Sequence, residues 1–269
     1  MAYDPLRSSL AVRLEGVLFY GDPHGRWEPL HKALDFDIHT VFMLGDLAEA
    51  KRNPEQVDDA RQALRRISDL GVDWHTISGN HDSDTAKICD LLFYELEEKL
   101  ADGKVINVQT GDVKVAGLGG VIRGRIWDGE AKPYVQSPEE LLANTPKQER
   151  YRQGLPFKKR STIFPSTVDY LSEQKADVLI THEAPSCHPN GFGFIDKLAD
   201  VMGVQLIVHG HHHTPYNARL KNGVKVKGLG LAETWRLESN LSPTQSKLLR
   251  SGLKSLNENE RAYRALKDK

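Results

Sequence analysis

The chain has 269 residues, of which 39% are hydrophobic, and its 36 basic residues nearly balance 37 acidic ones, for a net charge of −1. This balance excludes a global electrostatic attraction to nucleic acid or to a membrane surface, although a local basic patch could still bind nucleic acid. Cys89 and Cys187 are the only cysteines. A tetrathiolate zinc site is therefore excluded, and a reducing compartment fits the composition.

The length suits one large domain or two modest ones. The N-terminal stretch has no apolar core of signal-peptide length, and no segment has the apolar length of a membrane span. We therefore expect a cytoplasmic protein that does not associate with a membrane. The oligomeric state is left open.

Five short apolar runs, each followed by a polar cluster, are typical of buried strands. They are GVLFY before Gly21, TVFML before Gly45, WHTI before Ser78, DVLI before Thr181 and QLIV before His209. Helix formers between Pro54 and Gly71 predict a helix between the second and third runs. A second helix is predicted over KICDLLFYELEEKLADG, ending near Gly103.

Two hairpins are predicted next, turning at residues 110–112 and at residues 222–223, where Gly follows Thr or Asn. Helices and strands that alternate and are joined by hairpins indicate an α/β domain with mixed sheets. The polar, proline-containing stretch 123–166 interrupts the pattern and is interpreted as an insertion or cap with some helix.

We place one domain over residues 1–235 and a C-terminal extension over residues 236–269. Within the extension, leucines recur at helical spacing on a basic background, which predicts an amphipathic helix or helix pair. These are Leu248, Leu249, Leu253 and Leu256.

The residues that follow the five strands carry the chemistry. In an open α/β sheet, ligands gather outside the carboxyl ends of the strands. The polar side chains at those ends are Asp22 and His24, then Asp46, then Asn80, His81 and Asp82, then His182, and last His211 and His213. Each motif alone has an ordinary explanation as a turn, a helix cap, a core histidine or a surface loop. Those explanations do not account for five such clusters in succession.

Mixed carboxylate and imidazole donors suit divalent manganese, iron, zinc, cobalt or nickel. A carboxylate that bridges suits two ions about 3.5–4 Å apart, which activate water for an in-line displacement at phosphorus. The sequence therefore predicts a site for two divalent ions, with manganese expected first.

The chain contains five motifs in succession: GDPHG, GD, GNHD, TH and GHHH. They match, in the same order, the pattern D-x-H, GD, GN-H-[DE], H and GH-x-H. This pattern resembles the calcineurin-like metallophosphoesterase superfamily from about Val17 to Thr214. The resemblance implies an αββα four-layer sandwich with mixed sheets and the site at the sheet edge.

The resemblance also implies the role of each residue. Asp22, His24 and His213 would bind the first metal, and Asn80, His182 and His211 the second. Asp46 would bridge both, with hydroxide as the other bridge. His81 would not be a ligand but would lie near the leaving-group oxygen, as the general acid or as a positive donor to the phosphoryl group. Imidazole can supply a proton near neutral pH.

The protein Ser/Thr phosphatase branch continues its second motif as GD-x-x-DRG, whereas this chain has GDLAEAKRN. Glu49 takes the place of the acid that steadies the general-acid histidine, so it is a candidate partner of His81. Ala50 replaces the arginine that grips phosphate. The candidate replacements are Arg26, Arg52, Arg123 and Arg125, with a solvated surface arginine as the alternative for each.

Two further residues are weak candidates for substrate binding. His212 lies between two predicted ligands, and Phe192 follows His182 in a glycine-rich turn where it could stack on a base; ordinary loop packing is the alternative. We expect a phosphatase-like enzyme acting on a small phosphorylated or nucleotide substrate. The alternatives are a phosphodiesterase or nuclease, and a non-catalytic metal-binding scaffold.

Overall fold

The computed structural model describes residues 9–35, 37–108 and 112–238. All five predicted strands form, and each ends within one residue of the predicted end. The strands are β1 (Val17–Tyr20), β2 (Thr40–Met43), β3 (Asp73–Thr76), β4 (Val105–Val108), β5 (Val113–Leu118), β6 (Val178–Thr181), β7 (Leu206–His209), β8 (Tyr216–Arg219), β9 (Lys225–Gly228) and β10 (Thr234–Trp235).

The helices are mostly short. They are α1 (Leu10–Arg13), α2 (Glu28–Ala33), α3 (Gln56–Asp69), α4 (Ala86–Asp90), α5 (Pro138–Ala143), α6 (Phe157–Arg160), α7 (Pro165–Ser172) and α8 (Gly193–Met202). A π-helical turn, Leu91–Glu95, continues α4, and a 3₁₀ turn covers Lys147–Glu149. None of these helices is both long and apolar enough to span a bilayer.

The strands form two mixed sheets. The first has four strands in the order β10-β1-β2-β3, and the second has six in the order β4-β5-β6-β7-β9-β8. In the first sheet Tyr20 pairs with Met43, and Met43 with Thr76, so three parallel strands end level. In the second sheet Thr181 pairs with His209 in the same way. The loops that follow these strands therefore leave each sheet along one edge.

Successive side chains of a strand point to opposite faces of its sheet, so each sheet packs against a different core on each face. Phe19 and Phe42 are fully buried in a core that also contains Ile180 and Val208 of the second sheet. Their neighbours Leu18 and Val41 face a separate core. The central core therefore lies between the two sheets.

Helices cover both outer faces. Residues of α2, α3 and α4 pack with the outward side chains of the first sheet, and residues of α7 and α8 pack on the second. In α3 the buried residues recur every three or four positions, as an amphipathic helix requires. The expected αββα four-layer sandwich is confirmed.

The predicted second helix is wrong at its end. Helical structure stops at Glu95, eight residues before the predicted end. Leu100 instead pairs with Thr76 at the edge of the first sheet, where Ala101 N–H donates to the Thr76 carbonyl at 2.8 Å. Tertiary pairing with an open strand edge overrides the helix propensity of residues 96–102.

Both predicted hairpin pairings form. Strands β4 and β5 are antiparallel, and residues 110 and 111 of the predicted turn lie outside the described ranges. Strands β8 and β9 are antiparallel and turn at the predicted residues 222–223. The predicted C-terminal helix falls on residues 236–269, which lie outside the described residues except for the first three, and these are not helical.

Stretch 123–166 contains α5, the 3₁₀ turn and α6, folded over a small core of Ile126, Leu155 and Phe164. It is fastened to the first outer layer by Tyr151, whose hydroxyl donates to the Asp90 carboxylate at 2.8 Å.

Candidate metal centre

The carboxyl ends of strands from both sheets meet at one place. His182 Nδ1, after β6 of the second sheet, donates to the carbonyl of Leu44, after β2 of the first, at 2.7 Å. Two groups of three metal-binding side chains form there, with ligand atoms within 4.8 Å of one another in each group. The groups are Asp22, His24 and His213, and Asp46, His182 and His211.

In the first group, Nε2 of His24 lies 3.1 Å from Nε2 of His213. Two imidazole nitrogens that face each other converge on one point, as the ligands of one ion do. Asp22 is fully buried, and its carboxylate accepts the backbone N–H of His211 at 3.0 Å. This hydrogen bond ties the loop after β1 to the loop after β7.

The second group is centred on Asp46. Its Oδ2 lies 3.4 Å from Nε2 of His182 and 3.6 Å from Nε2 of His24, so Asp46 stands between the two groups. Asn80 joins this group, because its Oδ1 lies 3.2 Å from Nε2 of His182. The structure thus brings together all seven residues that the sequence analysis selected as metal ligands. Their nitrogen and oxygen donors fit two divalent ions.

Five of these seven residues have left-handed backbone conformations, which are uncommon for residues other than glycine. The φ angles are 35° at Asp22, 43° at His24, 53° at Asp46, 71° at His211 and 52° at His213. Each such conformation costs about 1–3 kcal/mol and persists only where the surroundings enforce it. Strained backbone of this kind clusters at binding and catalytic sites.

Gly79 and Gly210 leave room for the ligands. A Cβ on Gly79 would collide with the Asp46 carboxylate and lie 2.6 Å from Cε1 of His182. A Cβ on Gly210 would lie 2.9 Å from Oδ1 of Asp22. The glycines of the GN and GH motifs are therefore needed so that backbone and ligand side chains can approach closely.

Burial raises the pKa of Asp22 to about 8, with a further contribution from the neighbouring Asp46 carboxylate. At Asp46, burial opposes ionisation, but His182 and the His81 N–H more than offset it and lower the pKa. Burial likewise opposes the charged form of His182, yet Asp46 and Asp22 raise its pKa to about 10. Asp46 and His182 therefore form a buried ion pair, which a bound divalent cation would replace.

His81 contacts this centre through its backbone, since its N–H donates to Oδ1 of Asp46 at 2.7 Å. Its side chain is about one-third exposed, and Nδ1 lies 3.0 Å from Oδ2 of Asp84. Glu49 is farther from His81, at 3.9 Å, and lies instead 2.8 Å from Nδ1 of His24. The sequence analysis overlooked Asp84, although its position three residues after His81 allows such a contact within one turn.

A model of the calcineurin-like phosphoesterase family matches residues 16–215. The chain belongs to the calcineurin-like phosphoesterase family. It is 35% identical over 226 residues to an uncharacterised protein of Haemophilus influenzae, covering 83% of this chain and 95% of that protein. It is also similar to the crystal structure of TT1561 of Thermus thermophilus, with a TM-score of 0.53 and 15% identity over 82% of this chain and 98% of that one.

This phosphoesterase is thus a metal-dependent phosphoester hydrolase with the fold expected for its family. Of the four arginines predicted as phosphate contacts, Arg52 and Arg123 line a cavity of about 470 Å³ that also contains His81. Arg26 and Arg125 are exposed and do not line that cavity.

The two weak substrate-binding candidates have other neighbours in this phosphoesterase. His212 stacks on His188, with ring centroids 3.9 Å apart and planes 12° from parallel. Phe192 packs on the outer core of the second sheet, with its ring centroid 5.9 Å from that of Phe194. Loop packing therefore accounts for Phe192.

Proposed function

We propose that the protein hydrolyses phosphate esters of small phosphorylated or nucleotide compounds with the help of two divalent ions. The observation that carries the proposal is the position of Asp46. Its carboxylate lies between His24 and His182, one from each donor group, and also accepts the N–H of His81. A carboxylate shared by two donor groups suits a pair of divalent ions, which stabilise the attacking and leaving oxygens of a displacement at phosphorus.

The residues present fit two ions. Asp22, His24 and His213 would bind the first, Asn80, His182 and His211 the second, and Asp46 both. Two bound ions would activate water and stabilise negative charge on the phosphoryl oxygens. The mixture of oxygen and imidazole donors favours manganese, with iron, zinc, cobalt and nickel as the other candidates.

His81 is proposed as the general acid. With Nδ1 held by Asp84, Nε2 is the nitrogen left to protonate the departing oxygen. The partial exposure of the ring leaves it accessible to a substrate. In the net reaction, an oxygen from water bonds to phosphorus, the bond from phosphorus to the leaving oxygen breaks, and that oxygen takes a proton.

The first experiment is an activity panel with the manganese-loaded protein. It compares p-nitrophenyl phosphate, a bis-aryl phosphodiester, dinucleoside polyphosphates, cyclic nucleotides, and single- and double-stranded nucleic acid. Highest kcat/KM on small phosphorylated compounds supports the proposal. Highest kcat/KM on diesters or nucleic acid would replace it with the phosphodiesterase or nuclease alternative.

Two variants test the roles. His81→Ala should retain both ions and lose about 100-fold or more in kcat, the usual contribution of a general acid. Asp46→Asn should lose both turnover and metal, measured by elemental analysis of the purified protein. Parental rates for His81→Ala would overturn the general-acid role, and an active Asp46→Asn with two ions would overturn the bridging role.

A matched control for Asp46→Asn is Asp102→Asn. Asp102 is a partly buried carboxylate that accepts hydrogen bonds from the backbone and hydroxyl of Ser78 and belongs to neither donor group. Its substitution should lower stability without removing metal.

A further inference from the structure

The cavity beside His81 is lined by four cationic side chains from two separate parts of the chain. Lys51 and Arg52 come from the loop after β2, whereas Arg123 and Lys158 come from stretch 123–166. At about 470 Å³ the cavity has the size of a small-molecule site. Half of its cations are thus supplied by the insertion.

Most of this positive charge has no carboxylate partner. The two acids of the cavity are Glu49, 2.8 Å from His24, and Asp84, 3.0 Å from His81 and 4.0 Å from Lys158. Within the described ranges, Lys51, Arg52 and Arg123 form no ion pair. The cavity therefore carries an excess of positive charge.

Arg123 is the fixed member of this set. Its side chain is partly buried, and it donates to the hydroxyls of Thr162 at 3.2 Å and Ser161 at 3.3 Å. These two hydrogen bonds use Nε and Nη2, which leaves Nη1 for a ligand. A partly buried guanidinium that forms no ion pair at contact distance gains more from binding an anion than an exposed one does.

The position of the cavity determines which part of a substrate it would receive. It is lined by Asn80 and His81, but by none of the other six candidate metal ligands. Its cations therefore share a cavity with His81, the residue proposed to protonate the leaving group, and not with most of the ligands that would surround the attacked phosphorus.

We propose that this cavity binds an anionic phosphate group carried by the leaving group, so that the substrates are small compounds with two or more phosphates. The inference rests on the proposed function, because His81 marks the leaving-group side. In cleavage, an oxygen from water would bond to the attacked phosphorus, the bond from that phosphorus to the bridging oxygen would break, and the phosphate-bearing leaving group would take the proton from His81. The confined volume and the chain's net charge of −1 favour a small polyphosphate over a polynucleotide track.

The test measures binding separately from catalysis. Inorganic tripolyphosphate is titrated calorimetrically into the full-length protein stripped of metal with a chelator. We expect the affinity of a Lys51→Gln/Arg52→Gln/Lys158→Gln variant to fall about tenfold or more, since each removed charge pair contributes to anion affinity. The control is Lys132→Gln, at an exposed lysine of stretch 123–166 that does not line the cavity. This substitution should change the affinity for tripolyphosphate less than about twofold.

Equal affinities for the triple variant and the parent protein would overturn the proposal, as would equal losses in the triple variant and Lys132→Gln. Tighter and variant-sensitive binding of a single-stranded oligonucleotide would replace it with a polynucleotide site. The Arg123→Gln variant is a second test, and its affinity for tripolyphosphate should also fall. Circular dichroism verifies that this variant is folded.

Kinetics then separate this inference from the proposed function. With manganese, the ratio of kcat/KM for tripolyphosphate to that for p-nitrophenyl phosphate should fall about tenfold in the triple variant. A parent protein that hydrolyses p-nitrophenyl phosphate but shows no change in this ratio contradicts only the cavity assignment. A parent that hydrolyses no ester contradicts the proposed function, while the calorimetry still decides whether the cavity binds polyphosphate.

Discussion

The carboxylate of Asp82 accepts the backbone N–H of Asp46 at 2.7 Å, so a residue outside the candidate ligand set fixes the residue at its centre. The same carboxylate accepts the N–H groups of Leu47 and Gly79, each at 2.8 Å. Asp82 is fully buried. It therefore connects the loops after β2 and β3, and it belongs to neither donor group although it is part of the same GNHD motif as Asn80 and His81.

The first prediction is that Asp82→Asn weakens both stability and metal binding. The amide offers one acceptor oxygen where the carboxylate offers two, so at least one buried N–H loses its partner, at a cost of about 1–3 kcal/mol. Metal affinity should fall about 10- to 100-fold, as for other residues that orient ligands. Urea unfolding and metal titration measure the two effects.

A matched control is Asp128→Asn. Asp128 also accepts two backbone N–H groups, from Glu130 and Ala131, but in an exposed turn. Its substitution should leave metal affinity unchanged. Unaltered metal binding in Asp82→Asn would show that the loop after β2 keeps its position without this carboxylate.

The second prediction concerns the partner of His81. Because Asp84 is nearer to His81 and Glu49 is nearer to His24, Asp84→Asn should lower kcat about tenfold or more with little change in metal content. Glu49→Gln should mainly weaken metal binding through His24. Comparing kcat with metal stoichiometry in the two variants decides the matter, and the reverse pattern would restore Glu49 as the partner of His81.

Much of the fold was predictable because its determinants are local. Five apolar runs with polar residues at their carboxyl ends are enough to indicate buried parallel strands and a ligand-binding edge. The helix between Pro54 and Gly71 is likewise signalled by its own sequence, and α3 lies within those bounds. The predicted helix end near Gly103 was wrong because Leu100 pairs with a strand that is distant in sequence.

The candidate site was also predictable only in part. Its seven predicted ligands carry a motif pattern, so they could be selected from the sequence. The contact between Asp84 and His81, and the contributions of Lys51 and Lys158 to the cavity, depend on how loops and the insertion pack in three dimensions. A lysine in a loop or a one-turn helix carries no sequence pattern that distinguishes a ligand contact from a solvated surface position.

The third prediction uses the close approach at Gly79. Gly79→Ala should greatly weaken metal binding, because the new methyl group would displace the Asp46 carboxylate and the His182 ring. It should also lower stability by about 1–3 kcal/mol, the usual cost of overpacking a close-packed site. Gly193→Ala is the control, since no atom lies within 4 Å of its Cβ and its φ is not positive. Equal metal affinities in the two variants would contradict the crowding argument.

The fourth prediction is that divalent ions stabilise the folded protein. Asp22 and Asp46 are buried among histidines, and both have strained backbone conformations, so bound ions would offset part of the cost of burying these carboxylates. Manganese at about 100 times its dissociation constant should add about 2.7 kcal/mol to the free energy of unfolding, and a chelator should reverse the gain. For a chain of this size, a gain of that magnitude raises Tm by several degrees.

Thermal unfolding with and without manganese measures this effect, and two variants sharpen it. His81→Ala leaves every proposed ligand in place and should show the parental increase in Tm. Asp46→Asn removes the shared ligand, so its increase should be much smaller. An equal increase in Asp46→Asn would locate the stabilising ions away from the two donor groups, because a site centred on Asp46 cannot bind manganese equally well without its carboxylate.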